Sequence, residues 1–94
     1  WFHAFSEGAR DVMKVLETHK ANYVFLGHIH IFDKMANNGV QYVVSGGAGA
    51  PLIRMPLYFS DRGGAYYHFV LMQVSGSGIK ERVVTIPHAY NEKL

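Results

Sequence analysis

The 94-residue sequence predicts an α/β fold, in which one amphipathic helix precedes about five strands of a mixed or antiparallel sheet with two hairpins. Three observations predict it. Apolar residues recur at helical spacing within residues 6–20. Further along the chain, runs of strand-forming residues flank two turn sequences, "NNG" at 37–39 and "SGSG" at 75–78. A helix followed by strands that pair through tight turns is the expected order.

The helix is expected over residues 6–20. Ser6 is the predicted N-cap, and Glu7 and Asp11 lie where negative charge favours the positive end of the helix dipole. The apolar positions at helical spacing are Ala9, Val12, Met13 and Leu16. This spacing predicts an amphipathic helix.

The first strands follow directly. Residues 23–26 form a short apolar run, which predicts a strand buried on both faces. Residues 31–36 and 40–44 flank Asn-Gly, the strongest short signal for a hairpin. The glycine- and proline-rich stretch 45–56, "SGGAGAPLIRMP", predicts a long loop.

A second hairpin is expected from residues 65–74 and 79–86, and its first strand is apolar on both faces. The polar tail, residues 87–94, is expected to fray. The chain contains no internal repeat and no linker, so residues 1–94 are predicted to form one domain.

Composition excludes several classes of function. Apolar residues make up 49% of the chain and charged residues 17%, which is typical of a globular domain. The net charge of +2 comes from scattered basic residues, so no nucleic-acid patch is expected. The absence of cysteine excludes disulfides and thiolate metal sites but leaves the compartment open. No apolar stretch reaches the roughly 18 residues of a membrane-spanning helix.

The sequence "FLGHIH", residues 25–30, places two histidines beyond an apolar strand. Residues two apart on a strand point to the same side, so His28 and His30 are expected to project together and could bind metal. Gly27 removes a side chain and would allow close approach by a substrate or a neighbouring loop. The end of a buried strand is also where α/β folds place their sites. An incidental pair is the alternative, because His-x-His is common by chance.

The segment "YVFLGHIHIFDKMANNGVQYVVSGGAGAPL", residues 23–52, resembles the C-terminal part of the calcineurin-like metallophosphoesterases, especially the branch that includes the purple acid phosphatases. In that family a helix leads into a strand that ends in Gly-His-x-His, and a hairpin and a glycine-rich segment follow. The resemblance is dense over residues 6–52 and weaker up to residue 86. It implies that this chain is the C-terminal part of an α/β sandwich.

The resemblance implies that His28 ligates the second metal and His30 the first metal of a binuclear centre. Iron, manganese or zinc would suit such ligands. In the family, a metal-bridging hydroxide attacks the phosphoester in line. The implied function is therefore hydrolysis of phosphate esters without a covalent enzyme intermediate, and the class of ester stays open.

The family's other ligand motifs are absent from the sequence: Asp-x-His, Gly-Asp-x-x-Asp and Gly-Asn-His followed by Glu or Asp. The nearest carboxylate, Asp33, lies after the histidine pair. Because the chain also begins at Trp1, residues 1–94 are expected to be an incomplete domain of a longer phosphoesterase. Alone, they are expected to be inactive and to bind no metal ion or one weakly. The alternative is a small non-enzymatic β-rich interaction module.

The remaining candidates are expected to be mostly structural. His68 alternates with Tyr66 and Val70, which is typical of a core or edge histidine with satisfied hydrogen bonds. The stretch "SGGAGAP" lacks the Lys-Ser/Thr ending of a P-loop, so a tight turn with close backbone packing is favoured over a phosphate cradle. Residues expected to be solvated or without a role are His19, His88, Arg54 and Arg62. A place for His3 beside a substrate cleft stays open, as does phosphate binding by either arginine.

Self-association is also expected. If other strands of a larger sandwich are absent, the strand at residues 23–26 has an unpaired edge and the sheet an exposed apolar face. Copies of the chain could then pair through strand edges or exchange strands.

Overall fold

The computed structural model describes residues 8–93, which contain one α-helix and seven strands. In chain order the elements are α1 (Ala9–Thr18), β1 (Tyr23–Leu26), β2 (Phe32–Asn37), β3 (Val40–Ser45), β4 (Gly64–Ala65), β5 (His68–Ser75), β6 (Gly78–Thr85) and β7 (Glu92–Lys93). The α/β fold and both hairpins are confirmed. The two-residue strands β4 and β7 were not expected.

The sheet topology brings two loops to one edge. Five strands form a mixed sheet in the order β1-β3-β2-β4-β7, and β5 and β6 form a separate antiparallel pair. β1 runs parallel to β3, and Leu26 at the end of β1 pairs with Val44 near the end of β3. The loops that follow these two strands therefore leave from the same edge of the sheet. One is the Gly-His-x-His loop, residues 27–31, and the other begins the glycine-rich stretch.

The turn between β2 and β3 has the geometry that its sequence demands. Asn38 and Gly39 have φ angles of 48° and 81°. Two successive residues with positive φ form the hairpin turn whose twist matches that of the strands, and Asn-Gly is the pair that adopts it most readily. The turn sets the register in which Asn37 faces Val40.

The core lies on both faces of the five-stranded sheet. On one face, the buried side chains Phe32, Val43 and Tyr66 pack with Tyr23, Val70 and Val83. Since Val70 and Val83 belong to β5 and β6, that hairpin covers this face. On the other face, the buried side chains Ile29, Ile31, Val44 and Ala65 pack with Leu26, Leu52, Met55 and Tyr58. Loops supply much of this second cluster, including the Gly-His-x-His loop itself.

The helix begins at Ala9, and Gly8 is its N-cap with a left-handed φ of 76°. Ser6, the expected N-cap, lies outside the described residues. No described residue of α1 is buried, and Val12 and Val15 are 50% and 59% exposed. The apolar face predicted for this helix is thus only partly covered by the described part of the chain.

Polar contacts through Glu17 attach the helix to the β2–β3 hairpin. Its carboxylate accepts hydrogen bonds from Tyr42 Oη at 2.7 Å, from Asn38 Nδ2 at 2.8 Å and from Asn37 Nδ2 at 2.9 Å. These hydrogen bonds lower the pKa of Glu17, and the bond from Asn38 has the largest effect. Burial, followed by the bond to Glu17, raises the pKa of Tyr42 to about 12.

Strand β1 is less buried than its sequence indicated. Its residues are half-buried apart from Phe25, which is 49% exposed. The reason is topological, because β1 is the outermost strand of the described sheet and pairs only with β3 there. The prediction that β1 is buried on both faces is therefore wrong for residues 8–93. Within the same residues, the predicted unpaired edge of β1 is present.

The C-terminal segment, expected to fray, makes specific contacts. Glu92 and Lys93 form β7 and pair with Ala65 and Gly64 of β4. The Asn91 side chain accepts from a backbone N–H and donates to a backbone carbonyl. Gly64, Ala65 and Tyr67 lie far from residues 87–94 in sequence, so the polar composition of the segment did not reveal these partners.

Candidate functional site

The Gly-His-x-His loop begins where β1 ends, at Leu26, and has no regular secondary structure over residues 27–31. Two successive tight turns define its path. Ile29 N–H donates to the carbonyl of Gly27, and Ile31 N–H donates to the carbonyl of Ile29, each at 2.9 Å. Bonds between residues two apart are those of γ-turns. The backbone is therefore folded back on itself rather than extended.

This geometry corrects the backbone expected for the histidine pair. His28 has a left-handed φ of 76°, so the prediction that it belongs with His30 to an extended strand is wrong. The side chains of residues 28–31 nevertheless alternate between the surface and the core. Ile29 and Ile31 are 5% and 1% exposed, whereas His28 is exposed and His30 is half-buried. The two isoleucines anchor the loop in the core and leave the histidines near the surface.

A hydrogen bond selects the tautomer of the neutral His30 ring. Its Nδ1 lies 2.6 Å from the carbonyl oxygen of Pro51. A carbonyl oxygen only accepts, so Nδ1 carries the proton and the neutral ring has its lone pair on Nε2. Metal-binding histidines commonly donate from one ring nitrogen to a protein oxygen and bind the ion through the other. His30 therefore fits the role of a metal ligand through Nε2.

The glycine-rich stretch packs directly against the Gly-His-x-His loop. Gly46 N–H donates to the carbonyl of Ile31 at 2.9 Å. A Cβ atom at Gly46 would lie 2.0 Å from the carbonyl oxygen of Ile29 and 3.3 Å from Cα of His30. The backbones approach so closely that only glycine fits, which confirms the expected close packing of this stretch.

Gly27 has no comparable neighbour. A Cβ atom there would have nothing within 4 Å among the described residues. The expectation that Gly27 makes room for a neighbouring loop is therefore not met by this part of the chain, and Gly46 performs that role instead.

Asp33, the nearest carboxyl group to the pair in sequence, organises a different loop. It is 1% exposed, and its oxygens accept backbone N–H groups from Phe59 at 2.9 and 3.0 Å and from Ser60 at 3.0 Å. The N–H of Lys34 donates to the same carboxyl group at 2.8 Å. These contacts direct Asp33 toward the segment before β4.

His68 is a core histidine, as its alternation indicated. It is 1% exposed, its Nδ1 lies 2.8 Å from the carbonyl oxygen of Tyr66, and its Nε2 lies 2.9 Å from Ser45 Oγ. The carbonyl requires the proton on Nδ1, so Ser45 Oγ donates to Nε2 in the neutral ring. Burial lowers the pKa of His68, which favours this neutral form.

The other candidate residues belong to other segments of the chain. His19 is exposed and follows α1 as its C-cap. Arg54 makes an ion pair with Glu92, and Arg62 is exposed. His3 lies outside the described residues.

Two cavities differ in their relation to the histidine pair. The larger, of about 620 Å³, lies between α1 and the β2–β3 turn and is lined in part by Arg10, Lys14 and Asn38. None of the predicted site residues lines it. The smaller, of about 300 Å³, is lined by Ala48, Gly49, Tyr67, Ile86 and His88. Its lining joins the glycine-rich loop to the C-terminal segment, to which the sequence had assigned no role.

No group of three or more His, Cys, Asp or Glu side chains within residues 8–93 is placed to hold a metal ion. In the same range, none of the helices is both long and apolar enough to cross a membrane. Comparison of the chain with protein-family models, curated proteins and solved structures found no match. The candidate function therefore depends on the geometry of the Gly-His-x-His loop.

Proposed function

We propose that this chain supplies two metal ligands, His28 and His30, to a phosphoester hydrolase of the calcineurin-like metallophosphoesterase type. The observation that carries the proposal is the hydrogen bond from His30 Nδ1 to the carbonyl of Pro51, at 2.6 Å. It selects the tautomer whose Nε2 can bind a metal ion. The position of the loop after a strand of a parallel pair adds support, since α/β folds place their sites at that edge.

His28 and His30 would hold iron, manganese or zinc, each of which accepts imidazole ligands. A bound metal centre supplies Lewis acidity toward phosphoryl oxygens. Because no third ligand stands near the pair within residues 8–93, the remaining ligands are proposed to come from polypeptide outside that range. The chain alone is then expected to be inactive and to bind at most one metal ion weakly.

Replacement of either histidine is expected to remove activity. In a natural polypeptide that contains these residues, His28→Ala and His30→Ala should each slow hydrolysis of 4-nitrophenyl phosphate with Mn²⁺ by more than about 100-fold. The reason is that loss of even an outer partner of a metal ligand typically costs about 10- to 100-fold. The measurement is the initial rate at saturating metal.

His19→Ala is the matched control, because this imidazole is exposed at the end of α1, and it should keep the full rate. Unchanged rates in both the His28→Ala and the His30→Ala proteins would refute the ligand assignment. Elemental analysis gives a second readout. A purified polypeptide without a transition metal would favour the alternative of a non-enzymatic interaction module with an incidental histidine pair.

We also propose that copies of this chain associate through β1. This strand is at the edge of the described sheet, and Phe25 on it is 49% exposed. An edge strand presents unpaired backbone groups to a second strand. On β5, Phe69 and Leu71 are 49% and 48% exposed and add apolar surface. A second copy is the proposed occupant of the β1 edge.

Analytical ultracentrifugation at micromolar concentration should detect a concentration-dependent dimer. Lysine on an edge strand opposes pairing, so Phe25→Lys is expected to weaken the dimer by at least about tenfold. Leu57→Lys is the control, because Leu57 is 79% exposed and lies in a loop. A monodisperse monomer of the unaltered chain would contradict the proposal.

A further inference from the structure

We propose that the cavity between residues 48–49 and the C-terminal segment binds a flat aromatic ring, and that this ring belongs to the leaving group of the phosphoester. Ring binding is argued from the cavity alone. The assignment of the ring to the leaving group rests on the proposed function. The residues that form this site are Ala48, Gly49, Tyr67, Ile86 and His88.

The size and chemistry of the cavity suit an aromatic ring. The cavity is a surface depression open to solvent, and its volume of about 300 Å³ exceeds the roughly 150 Å³ that holds benzene in an enclosed site. Its lining is mainly apolar, and two of its side chains, Tyr67 and His88, are rings. Ring faces and edges attract a further ring in stacked or edge-to-face contact.

The His88 ring is held in place. It meets the ring of Tyr67 edge-on, with centroids 4.9 Å apart and planes at 77°, and it lies 5.1 Å from the ring of Tyr90. Tyr90 N–H donates to His88 Nδ1 at 3.2 Å. Because Nδ1 accepts, the neutral ring carries its proton on Nε2, which is a hydrogen-bond donor for a polar substituent of a bound ring.

Asn91 attaches the segment that carries His88 to Tyr67, the residue before β5. Its Oδ1 accepts from Tyr67 N–H at 2.9 Å, and its Nδ2 donates to the carbonyl of Ile86 at 2.8 Å. Ile86 N–H in turn donates to the carbonyl of Tyr67 at 2.8 Å. These three hydrogen bonds fix the backbone at Tyr67 and Ile86, two of the residues that line the cavity.

The cavity lies close to the proposed metal ligand. Gly49 lines the cavity and precedes Pro51 by two residues, and the Pro51 carbonyl is bonded to His30. Two residues span at most about 7 Å, so the cavity edge at Gly49 is on the order of 10 Å from the His30 ring. An ester that occupies both places therefore separates its phosphoryl group from its ring by a distance on the order of 10 Å or less.

Ring binding is testable on the 94-residue chain without metal. Phenol and adenosine, as probes for an aryl group and a nucleobase, should be titrated into the protein while its amide NMR signals are followed. Saturable shifts are expected at Ala48, Gly49, Tyr67 and Ile86 for at least one probe, and the stronger probe identifies the kind of ring. Cyclohexanol, of similar size but without a π-face, should bind more weakly.

Variants test the walls of the cavity. Tyr67→Leu and His88→Ala should each weaken binding by roughly threefold to tenfold, the effect of losing one aromatic contact. His19→Ala should leave it unchanged. Shifts that fail to saturate for both probes, or that occur mainly at residues outside the cavity, would overturn the proposal.

The leaving-group part has its own readout in the longer polypeptide. Tyr67→Leu should raise KM for phenyl phosphate and leave KM for methyl phosphate unchanged, and equal effects on both would overturn this part. Failure of the two proposals can be told apart. Ring binding with full activity in the His28 and His30 variants removes the proposed function and the leaving-group part that rests on it, but keeps the ring site. Inactive histidine variants without ring binding remove only the cavity proposal.

Discussion

Gly46→Ala is expected to unfold or strongly destabilise the chain, because its Cβ atom has no room. That atom would lie 2.0 Å from the oxygen and 2.8 Å from the carbon of the Ile29 carbonyl, and both belong to the backbone. Backbone cannot rotate away as a side chain can, so the Gly-His-x-His loop would have to move. The shift would also break the hydrogen bond from Gly46 N–H to Ile31.

The expected cost is on the order of 3 kcal/mol, at the upper end of what overpacking a well-packed site costs. For a domain of this size that corresponds to a fall in Tm of roughly 10 to 20 °C. Thermal unfolding followed by circular dichroism measures it. Movement of Ile29 and Ile31 would carry His30 with it, so the distance from Nδ1 to the Pro51 carbonyl should change as well.

Gly76→Ala is the matched control. A Cβ atom at Gly76 meets nothing within 4 Å, so the same added methyl group should change Tm by no more than a few degrees. Gly27→Ala is a second control inside the loop, since its Cβ position is equally open. If the Gly46→Ala protein has the same Tm as these two controls, the close approach of the Gly46 and Ile29 backbones does not constrain the loop.

Asp33→Ala is expected to release the segment before β4. Asp33 is 1% exposed, and its carboxyl oxygens accept N–H groups from Phe59, Ser60 and Lys34. Alanine would leave these donors without their acceptor, and each unsatisfied buried group costs about 1–3 kcal/mol. A total loss of roughly 3 kcal/mol is expected, because part of the segment can reach water.

Urea unfolding measures the loss of stability, and amide hydrogen exchange locates it. Phe59 and Ser60 amides should exchange much faster in the Asp33→Ala protein, and Asp33→Asn, which keeps one acceptor oxygen, should show a smaller effect. Asp61→Ala is the control, because Asp61 is exposed in the same segment. If the two amides stay as protected as in the unaltered chain, Asp33 does not hold this segment.

These two residues support the candidate site through different contacts. Gly46 fixes the backbone of the Gly-His-x-His loop directly. Asp33 fixes the segment that carries Tyr58, which packs on the cluster containing Ile29 and Ile31. The orientation of the histidines is thus a consequence of packing beneath them, since the isoleucines between them are buried.

Features that depend on neighbouring residues were predictable from the sequence. The Asn38–Gly39 turn follows from the φ angles that Asn and Gly tolerate, and α1 follows from apolar spacing within Ala9–Thr18. The core position of His68 follows from alternation along β5. Each of these signals acts over a few residues, which is why they could be recognised without a partner.

Only the tertiary structure decided how the histidine pair is presented. The sequence by itself determined an α/β chain with a Gly-His-x-His segment after a strand. The tautomer of His30 depends on Pro51, 21 residues away, and the role of Asp33 depends on Phe59, 26 residues away. The cavity of Tyr67 and His88 likewise requires the C-terminal segment to dock on β5. Such contacts arise when distant backbone groups must satisfy their hydrogen bonds on burial, and local sequence carries no signal of which distant group will do so.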